Sequence, residues 1–132
     1  LQSPAIPAGI RVLTVDDNPV NLLYIKHLLK KSNVELEEAS DVKTALRILK
    51  DKAIDIIITD IHLPELSGWD LLKHIKSDPA LQSIGVFSMS AVLDPIAPDE
   101  ASGYNFDGFL GKPINEHDLV KAILGWAGKS RD

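Results

Sequence analysis

The chain has 132 residues and a net charge of −5, with 45% hydrophobic and 25% charged residues. That length suits one domain with a substantial core, and the composition is that of an ordinary globular protein. Because the lysines and arginines are scattered, we expect neither nucleic acid nor a membrane as a partner. The absence of cysteine excludes disulfides and thiolate metal sites; it is compatible with a reducing compartment, and we expect a cytoplasmic protein.

Residues 1–9 (LQSPAIPAG) contain two prolines, a serine and a glycine without periodicity, which is typical of a linker or of the remnant of a longer chain. The chain begins at Leu1, and its only methionine is Met89. Both features favour a domain excised from a larger protein over the alternative, a single-domain protein that works on its own. We expect the folded domain to span residues 10–128, with a short tail at 129–132.

The first predicted strand is Arg11–Val15, a mostly apolar run that ends on two acids, Asp16 and Asp17. Asn18 followed by Pro19 is typical of a helix start, because asparagine caps the free N–H groups and proline suits the first helical position. The sequence therefore predicts a helix directly after the paired acids.

This first helix is predicted to end at Asn33, a residue that tolerates the left-handed C-cap conformation. The next segment, Val34–Ala39, alternates apolar and acidic residues as an edge strand does. Ser40 and Asp41 then predict the N-terminus of a second helix.

The central strand is predicted at Ile54–Asp60 (IDIIITD), an apolar, β-branched run too short for a helix and typical of a strand buried on both faces. In open α/β sheets, ligands bind outside the carboxyl ends of the strands. We therefore expect Asp60 in the functional site, with Asp16 and Asp17 beside it if the two strands are neighbours.

The remaining predicted elements continue the alternation of strand and helix. They are a helix at Trp69–Ser77, strands at Ile84–Met89 and Asp107–Leu110, and a last helix capped by Asn115. Between the last two strands, Val92–Asn105 contains two prolines and a glycine, so any helix there is expected to be short or irregular. The alternation predicts an α/β fold in which helices cover both faces of a parallel sheet.

Taken singly, each acid has an ordinary explanation, since Asp16 and Asp17 favour the positive start of a helix and Asp60 can cap a loop. Together they form a cluster in which unit charges ~4 Å apart interact by about 4 kcal/mol at an effective dielectric of 20. Such a cluster either stays partly protonated or binds a cation, and hard oxygen ligands favour Mg²⁺. A carboxylate beside this ion can also act as a nucleophile and form an acyl phosphate.

Phosphoryl transfer to a carboxylate needs a further positive charge on the phosphoryl oxygens. Lys112, which follows the last predicted strand in the tripeptide GKP, can supply that charge, and Ser90 can offer a hydroxyl to the same oxygens. Considered alone, each is more often an exposed lysine or a strand-end serine of no special role. Pro113 restricts the turn and allows a cis Lys112–Pro113 bond.

Four motifs occur in order along the chain: VDDNPVN (Val15–Asn21), ITDIHLPELSG (Ile58–Gly68), SMSA (Ser88–Ala91) and FLGKPI (Phe109–Ile114). With these motifs the chain resembles the receiver domain of two-component response regulators, and the likeness covers Ile10 to about Ala127. The resemblance implies a flavodoxin-like, doubly wound sheet of five parallel strands in the order 2-1-3-4-5.

The resemblance also implies roles for individual residues. Asp60 is expected to accept the phosphoryl group. A Mg²⁺ ion is expected on Asp16, Asp17 and Asp60 and on the backbone carbonyl of His62. The ring of His62 has three other interpretations: an additional metal ligand, a residue that intercepts phosphate, or a simply exposed side chain.

Three more roles follow from the resemblance. Lys112 is expected to bind the phosphoryl oxygens, with a cis bond before Pro113. Ser90 is expected to be the hydroxyl switch, and Phe109 the aromatic residue whose rotamer follows it. The prolines between Val92 and Asn105 depart from the family pattern and put the usual output and dimerisation face in doubt, so we expect a monomer.

The function predicted from the sequence is that of a phosphorylation-switched signalling module. It would accept its phosphoryl group from a histidine kinase or a histidine phosphotransfer protein, alter the binding of a downstream effector, and catalyse no reaction beyond its own phosphorylation and dephosphorylation. One alternative is a Mg²⁺-dependent phosphatase of the haloacid dehalogenase type, which needs a second acid where this chain has His62. Another is a receiver-like scaffold that works without phosphorylation, against which the complete residue set argues. The absence of a glycine-rich phosphate loop after the first strand counts against a nucleotide-binding domain.

Overall fold

The computed structural model describes residues 8–91 and 105–130. Within them, five strands and four helices alternate: β1 (Arg11–Val15), α1 (Pro19–Leu28), β2 (Glu35–Ala39), α2 (Val42–Asp51), β3 (Ile56–Asp60), α3 (Gly68–Ser77), β4 (Gly85–Ala91), β5 (Gly108–Lys112) and α4 (Glu116–Ser130). None of the helices in the described part is both long and apolar enough to span a membrane. The expected short or irregular helix over Val92–Asn105 falls on residues 92–104, outside the described residues, as do residues 1–7 of the expected linker.

The strands form one parallel sheet in the order β2-β1-β3-β4-β5. This confirms the doubly wound, flavodoxin-like architecture predicted from the sequence. Because β1 and β3 lie at the centre, with helices on both faces, their side chains are buried on both sides, and all five residues of β3 are buried. The apolar composition of β3 therefore has a direct physical cause.

Alternate residues of each strand enter one of two cores. One core packs residues such as Val12, Ile56 and Ile58 against α1 and α4, and the other packs residues such as Leu13 and Ile57 against α2 and α3. Burying one such side chain contributes about 1.5–3 kcal/mol. The two cores hold β1 and β3 side by side, and this places their carboxyl ends at the same point.

Capping residues begin the helices much as the sequence predicts. The Asn18 side chain accepts a hydrogen bond from the Val20 N–H at 2.9 Å, with Pro19 at the first helical position of α1. Asp41 caps α2, and the hydrogen bond from the Thr44 backbone N–H lowers the pKa of its carboxyl group. Ser67 and Asp70, which the sequence interpretation did not single out, form a reciprocal capping box at the start of α3.

The predicted end of α1 at Asn33 is wrong. The helix ends at Leu28, and the chain continues in turns in which Ser32 donates backbone and side-chain hydrogen bonds to the Leu29 carbonyl at 3.0 and 2.7 Å. These bonds satisfy that carbonyl without a left-handed residue. Among the described non-glycine residues, only Glu65 has a positive φ, at 66°.

The last helix begins after Asn115, whose side-chain oxygen accepts a hydrogen bond from the Asp118 N–H at 2.8 Å. This confirms the predicted N-cap. The helix continues to Ser130, two residues into the segment expected to be a tail.

An ion pair lies at the amino-terminal edge of the sheet, where β4 and β5 begin. Lys76 Nζ is 3.0 Å from Asp107 Oδ2, and the two side chains are only 15% and 22% exposed. Lys76 also donates a hydrogen bond to the Ile84 carbonyl at 2.8 Å, while Asp107 accepts one from the Val86 N–H at 2.8 Å. The Lys76 ammonium lies 5.7 Å from the ring centre of Trp126. The pair thereby joins α3, both strands and α4.

Candidate functional site

Three acids lie together at the carboxyl edge of the sheet. Val15 of β1 pairs with Thr59 of β3, so the next residues of the two strands, Asp16 and Asp60, are side by side. Together with Asp17 they bring carboxylate oxygens within 4.8 Å of one another. Asp16 and Asp60 are buried and Asp17 is exposed, so the cluster opens to solvent on one side.

The start of α1 orients the buried carboxylate of Asp16. The Asn18 backbone N–H donates a hydrogen bond to Asp16 Oδ1 at 2.9 Å, and Asn21 Nδ2 donates one to Asp16 Oδ2 at 3.0 Å. The two hydrogen bonds fix the orientation of this carboxylate. Asn21 belongs to the VDDNPVN motif, and its position one helical turn after the predicted N-cap Asn18 is the sequence signal that points to it.

Lys112 brings a positive charge to this cluster from the end of β5. Its Nζ lies 3.1 Å from Asp60 Oδ2 and 3.5 Å from Asp16 Oδ2, and its side chain is 25% exposed. In the part of the chain that the structure describes, two of the three clustered carboxylates contact this single ammonium group, and the third, that of Asp17, lies beside them. The site therefore keeps an excess of negative charge, and its oxygen donors suit a hard divalent cation such as Mg²⁺.

The loop after Lys112 is held at two points. The Lys112–Pro113 peptide bond is cis. The hydroxyl of Tyr24, on α1, donates a hydrogen bond to the Ile114 carbonyl at 2.6 Å. Nothing in the sequence singles out Tyr24, since this contact joins residues 90 positions apart.

The loop after Asp60 folds back so that His62 and Gly68 both lie close to Asp60. The His62 backbone N–H lies 3.3 Å from Asp60 Oδ1, whereas the residue itself is exposed. The Gly68 N–H donates a hydrogen bond to the Ile61 carbonyl at 2.8 Å. A Cβ at Gly68 would lie 2.6 Å from the Asp60 carbonyl oxygen, so only glycine fits there without a shift of the backbone.

Ser90 and Phe109 lie on the neighbouring strands. Ser90 is 6% exposed near the end of β4 and pairs with Gly111, the residue before Lys112. Phe109 is 57% exposed, and its ring makes an edge contact with Phe106 at a centroid distance of 6.2 Å. The structure therefore places Ser90 beside β5, the strand that ends on Lys112, and leaves Phe109 exposed at the surface.

The sequence of this chain is similar to those of known proteins. Residues 12–124 match the family model described as the response regulator receiver domain. The chain belongs to this family. It is 35% identical over 111 residues to the two-component response regulator ORR3 of Oryza sativa subsp. indica, covering 83% of this chain and 85% of that protein. It is therefore a signalling module of two-component systems, as found in response regulators and in the receivers of histidine kinases.

Solved structures of receivers agree with the fold. The receiver of Saccharomyces cerevisiae Ssk1, in complex with the histidine phosphotransfer protein Ypd1, superposes with a TM-score of 0.77 at 26% identity, covering 95% of this chain and 93% of that chain. The receiver of a sensor histidine kinase of Pseudomonas aeruginosa PAO1 has a magnesium ion in its active-site cleft. It superposes with a TM-score of 0.80 at 24% identity, covering 92% and 99%.

Proposed function

We propose that Asp60 is the phosphoacceptor of this receiver domain and that its phosphorylation requires Mg²⁺. The observation that carries the proposal is the position of the Asp60 carboxylate. It lies within 4.8 Å of two further carboxylates and has Oδ2 3.1 Å from the ammonium of Lys112. A nucleophile, a set of hard metal ligands and a fixed cation thus meet at one point, and phosphoryl transfer depends on positioning and charge stabilisation of this kind.

The residues each have a distinct task in this reaction. An oxygen of Asp60 attacks phosphorus, an O–P bond forms and the P–N bond to the donor imidazole breaks, with the electron pair leaving on that nitrogen. Lys112 Nζ, already beside Asp60, stabilises the charge of the phosphoryl oxygens. Asp16 and Asp17, with Asp60 and the backbone carbonyl of His62, would hold Mg²⁺, which supplies further neutralisation of the phosphoryl charge when bound.

The donor in this proposal is a phosphohistidine on a histidine kinase or a histidine phosphotransfer protein. The complex of Ypd1 with the Ssk1 receiver supports this class of partner. The exposed apolar side chains of α1 next to the site, Val20 at 68% and Leu23 at 65%, offer a surface for such a protein. The proposal retains the expected cytoplasmic location and monomeric state, and it limits catalysis to the domain's own phosphorylation and dephosphorylation.

Output follows from a change between two conformations that phosphorylation stabilises unequally. Ser90 would move towards the phosphoryl oxygens, and the exposed ring of Phe109 would turn into the space that it leaves. The altered surface around β5 would then change the binding of an effector protein.

The test is mass spectrometry after incubation with acetyl phosphate and Mg²⁺. The unmodified protein should gain the mass of one phosphate, and Asp60→Asn should gain none because it lacks the nucleophile. Asp51→Asn is the matched control, since Asp51 is an exposed aspartate at the end of α2. Labelling of Asp60→Asn to the level of the control would refute the assignment, as would a failure of the unmodified protein to label.

A further inference from the structure

Tyr24 lies on α1, and its hydroxyl makes a specific tertiary contact. Tyr24 is 41% exposed, and its Oη donates a hydrogen bond to the Ile114 carbonyl at 2.6 Å. That distance is at the short end of the normal range for O–H···O hydrogen bonds. Tyr24 thus joins α1 to the loop that follows Lys112.

The Ile114 carbonyl precedes the first hydrogen bonds of the helix after it. The carbonyl of the next residue, Asn115, accepts the hydrogen bond from the Leu119 N–H at 3.1 Å, so the helical series of α4 begins one residue after Ile114. The Ile114 side chain is buried in the core between the sheet and α4. Ile114 is therefore fixed at two groups: its side chain by packing in the core, and its backbone carbonyl by the hydrogen bond from Tyr24.

Only Pro113 separates Ile114 from Lys112. Because the proline ring fixes φ, few rotatable backbone bonds lie between the Ile114 carbonyl and the Cα atom of Lys112. A hydrogen bond that fixes the carbonyl consequently restricts where the lysine side chain begins. The strand pairing of β5 with β4 fixes the other side of Lys112.

Helix α1 also holds the opposite wall of the site. Asn21 lies three residues before Tyr24, on the same side of the helix, and donates its hydrogen bond to Asp16 Oδ2. The same Asp16 oxygen is 3.5 Å from Lys112 Nζ. Helix α1 therefore contacts Asp16 through Asn21, and the loop that follows Lys112 through Tyr24.

We infer that Tyr24 is a positioning residue for Lys112. By holding the Ile114 carbonyl, it fixes the distance between the Lys112 ammonium group and the Asp60 carboxylate. The inference rests on the proposed function, because it assigns Tyr24 a task in phosphoryl transfer to Asp60. Small displacements of a group that stabilises transition-state charge reduce the rate. Tyr24→Phe removes only the hydroxyl and should slow phosphorylation by roughly three- to tenfold, the range that corresponds to one lost hydrogen bond.

The first measurement uses acetyl phosphate, a small donor that needs no docking surface. The rate of phosphorylation and the apparent Mg²⁺ affinity would be compared for the unmodified protein, Tyr24→Phe and Lys26→Ala, an exposed residue two positions further along α1. Tyr24→Phe should lower the rate at saturating acetyl phosphate, with the Mg²⁺ affinity within about twofold because the metal carboxylates are untouched. Lys26→Ala should keep the unmodified rate.

The second measurement separates positioning from a general loss of stability. Tyr24→Phe would be combined with Lys112→Arg, and the effect of removing the hydroxyl measured in both backgrounds. If Tyr24 acts through Lys112, its effect should fall below twofold in the arginine background. A hydroxyl that only stabilises the fold would act equally in both.

The outcomes distinguish this inference from the function on which it rests. If the unmodified protein is not labelled, the proposed function fails and the inference fails with it. If the unmodified protein labels and Tyr24→Phe labels at the same rate, or slows by an equal factor in both backgrounds, the inference alone is overturned. Slowing with a phosphohistidine protein but not with acetyl phosphate also overturns it, because docking would then explain the effect.

Discussion

The two edges of the sheet both carry charged side chains, but they are arranged differently. At the amino edge, among the described residues, Lys76 meets the carboxylate of Asp107 alone, and each partner also bonds to the backbone. At the carboxyl edge, Lys112 meets two carboxylates and a third lies close by. The first group is balanced in charge and joins several elements, whereas the second keeps a negative excess.

This difference in charge balance indicates that the pair at the amino edge stabilises the fold, whereas the cluster at the carboxyl edge serves function. A buried ion pair whose remaining hydrogen-bonding groups are satisfied needs no ligand, although its loss leaves a buried charge unpaired. A cluster of like charges is unfavourable until a cation or a changed protonation state relieves it. We therefore expect substitutions at the amino edge to alter stability alone, and substitutions at the carboxyl edge to alter metal binding and phosphorylation as well.

The largest effect is expected from Asp107→Ala at the amino edge. This substitution leaves Lys76 and the Val86 N–H without their carboxylate, and we expect the free energy of unfolding to fall by about 3 kcal/mol. Urea unfolding followed by circular dichroism measures it. The rate of phosphorylation in the fraction that remains folded should be unchanged, and a rate lowered tenfold would contradict the separation of the two edges.

The next effect compares two glycines. Gly68→Ala places a methyl group 2.6 Å from the Asp60 carbonyl oxygen, and overpacking of this kind costs about 1–3 kcal/mol. The loop that carries the phosphoacceptor must shift, so phosphorylation by acetyl phosphate should also slow.

The matched control is Gly125→Ala in α4, where a Cβ would meet no atom within 4 Å apart from its chain neighbours and the backbone of its own helix. Alanine is favoured over glycine inside a helix by about 1 kcal/mol, so this variant should be more stable and label normally. Equal destabilisation of the two variants would show that the close approach at Gly68 is not what matters.

The smallest effect is expected from Asp17→Asn, which reduces the negative excess at the carboxyl edge. Without Mg²⁺, the free energy of unfolding should rise by about 0.5–1 kcal/mol, because one of the repelling charges at the exposed side of the cluster is gone. Mg²⁺ should raise the melting temperature of the unmodified protein, and it should raise that of this variant much less. An unchanged response to Mg²⁺ would remove Asp17 from the proposed metal site.

Much of the fold follows from local patterns that tertiary contacts do not override. Each strand is a short run of suitable residues, and the observed strand ends agree with the predicted ones within about two residues. The caps at Asn18, Asp41 and Asn115 are local hydrogen bonds, which is why the sequence predicts them. The predicted end of α1 at Asn33 failed because the hydroxyl and N–H of Ser32 satisfy the Leu29 carbonyl earlier in the chain.

The sequence by itself determined the alternation of strands and helices and the position of Asp16, Asp17 and Asp60 at the ends of two strands, because strand ends follow from residue type and order. That the three acids meet depends on β1 and β3 being neighbours in the sheet. Only the tertiary structure decided which groups hold that site in place. Two of the tertiary contacts join residues far apart in the chain: the hydrogen bond from Tyr24 to Ile114 and the ion pair of Lys76 with Asp107. A third, the close approach of Gly68 to the Asp60 carbonyl, depends on the path of the backbone in the loop between them. No residue type or spacing encodes such contacts, since they exist only once the helices have packed on the sheet.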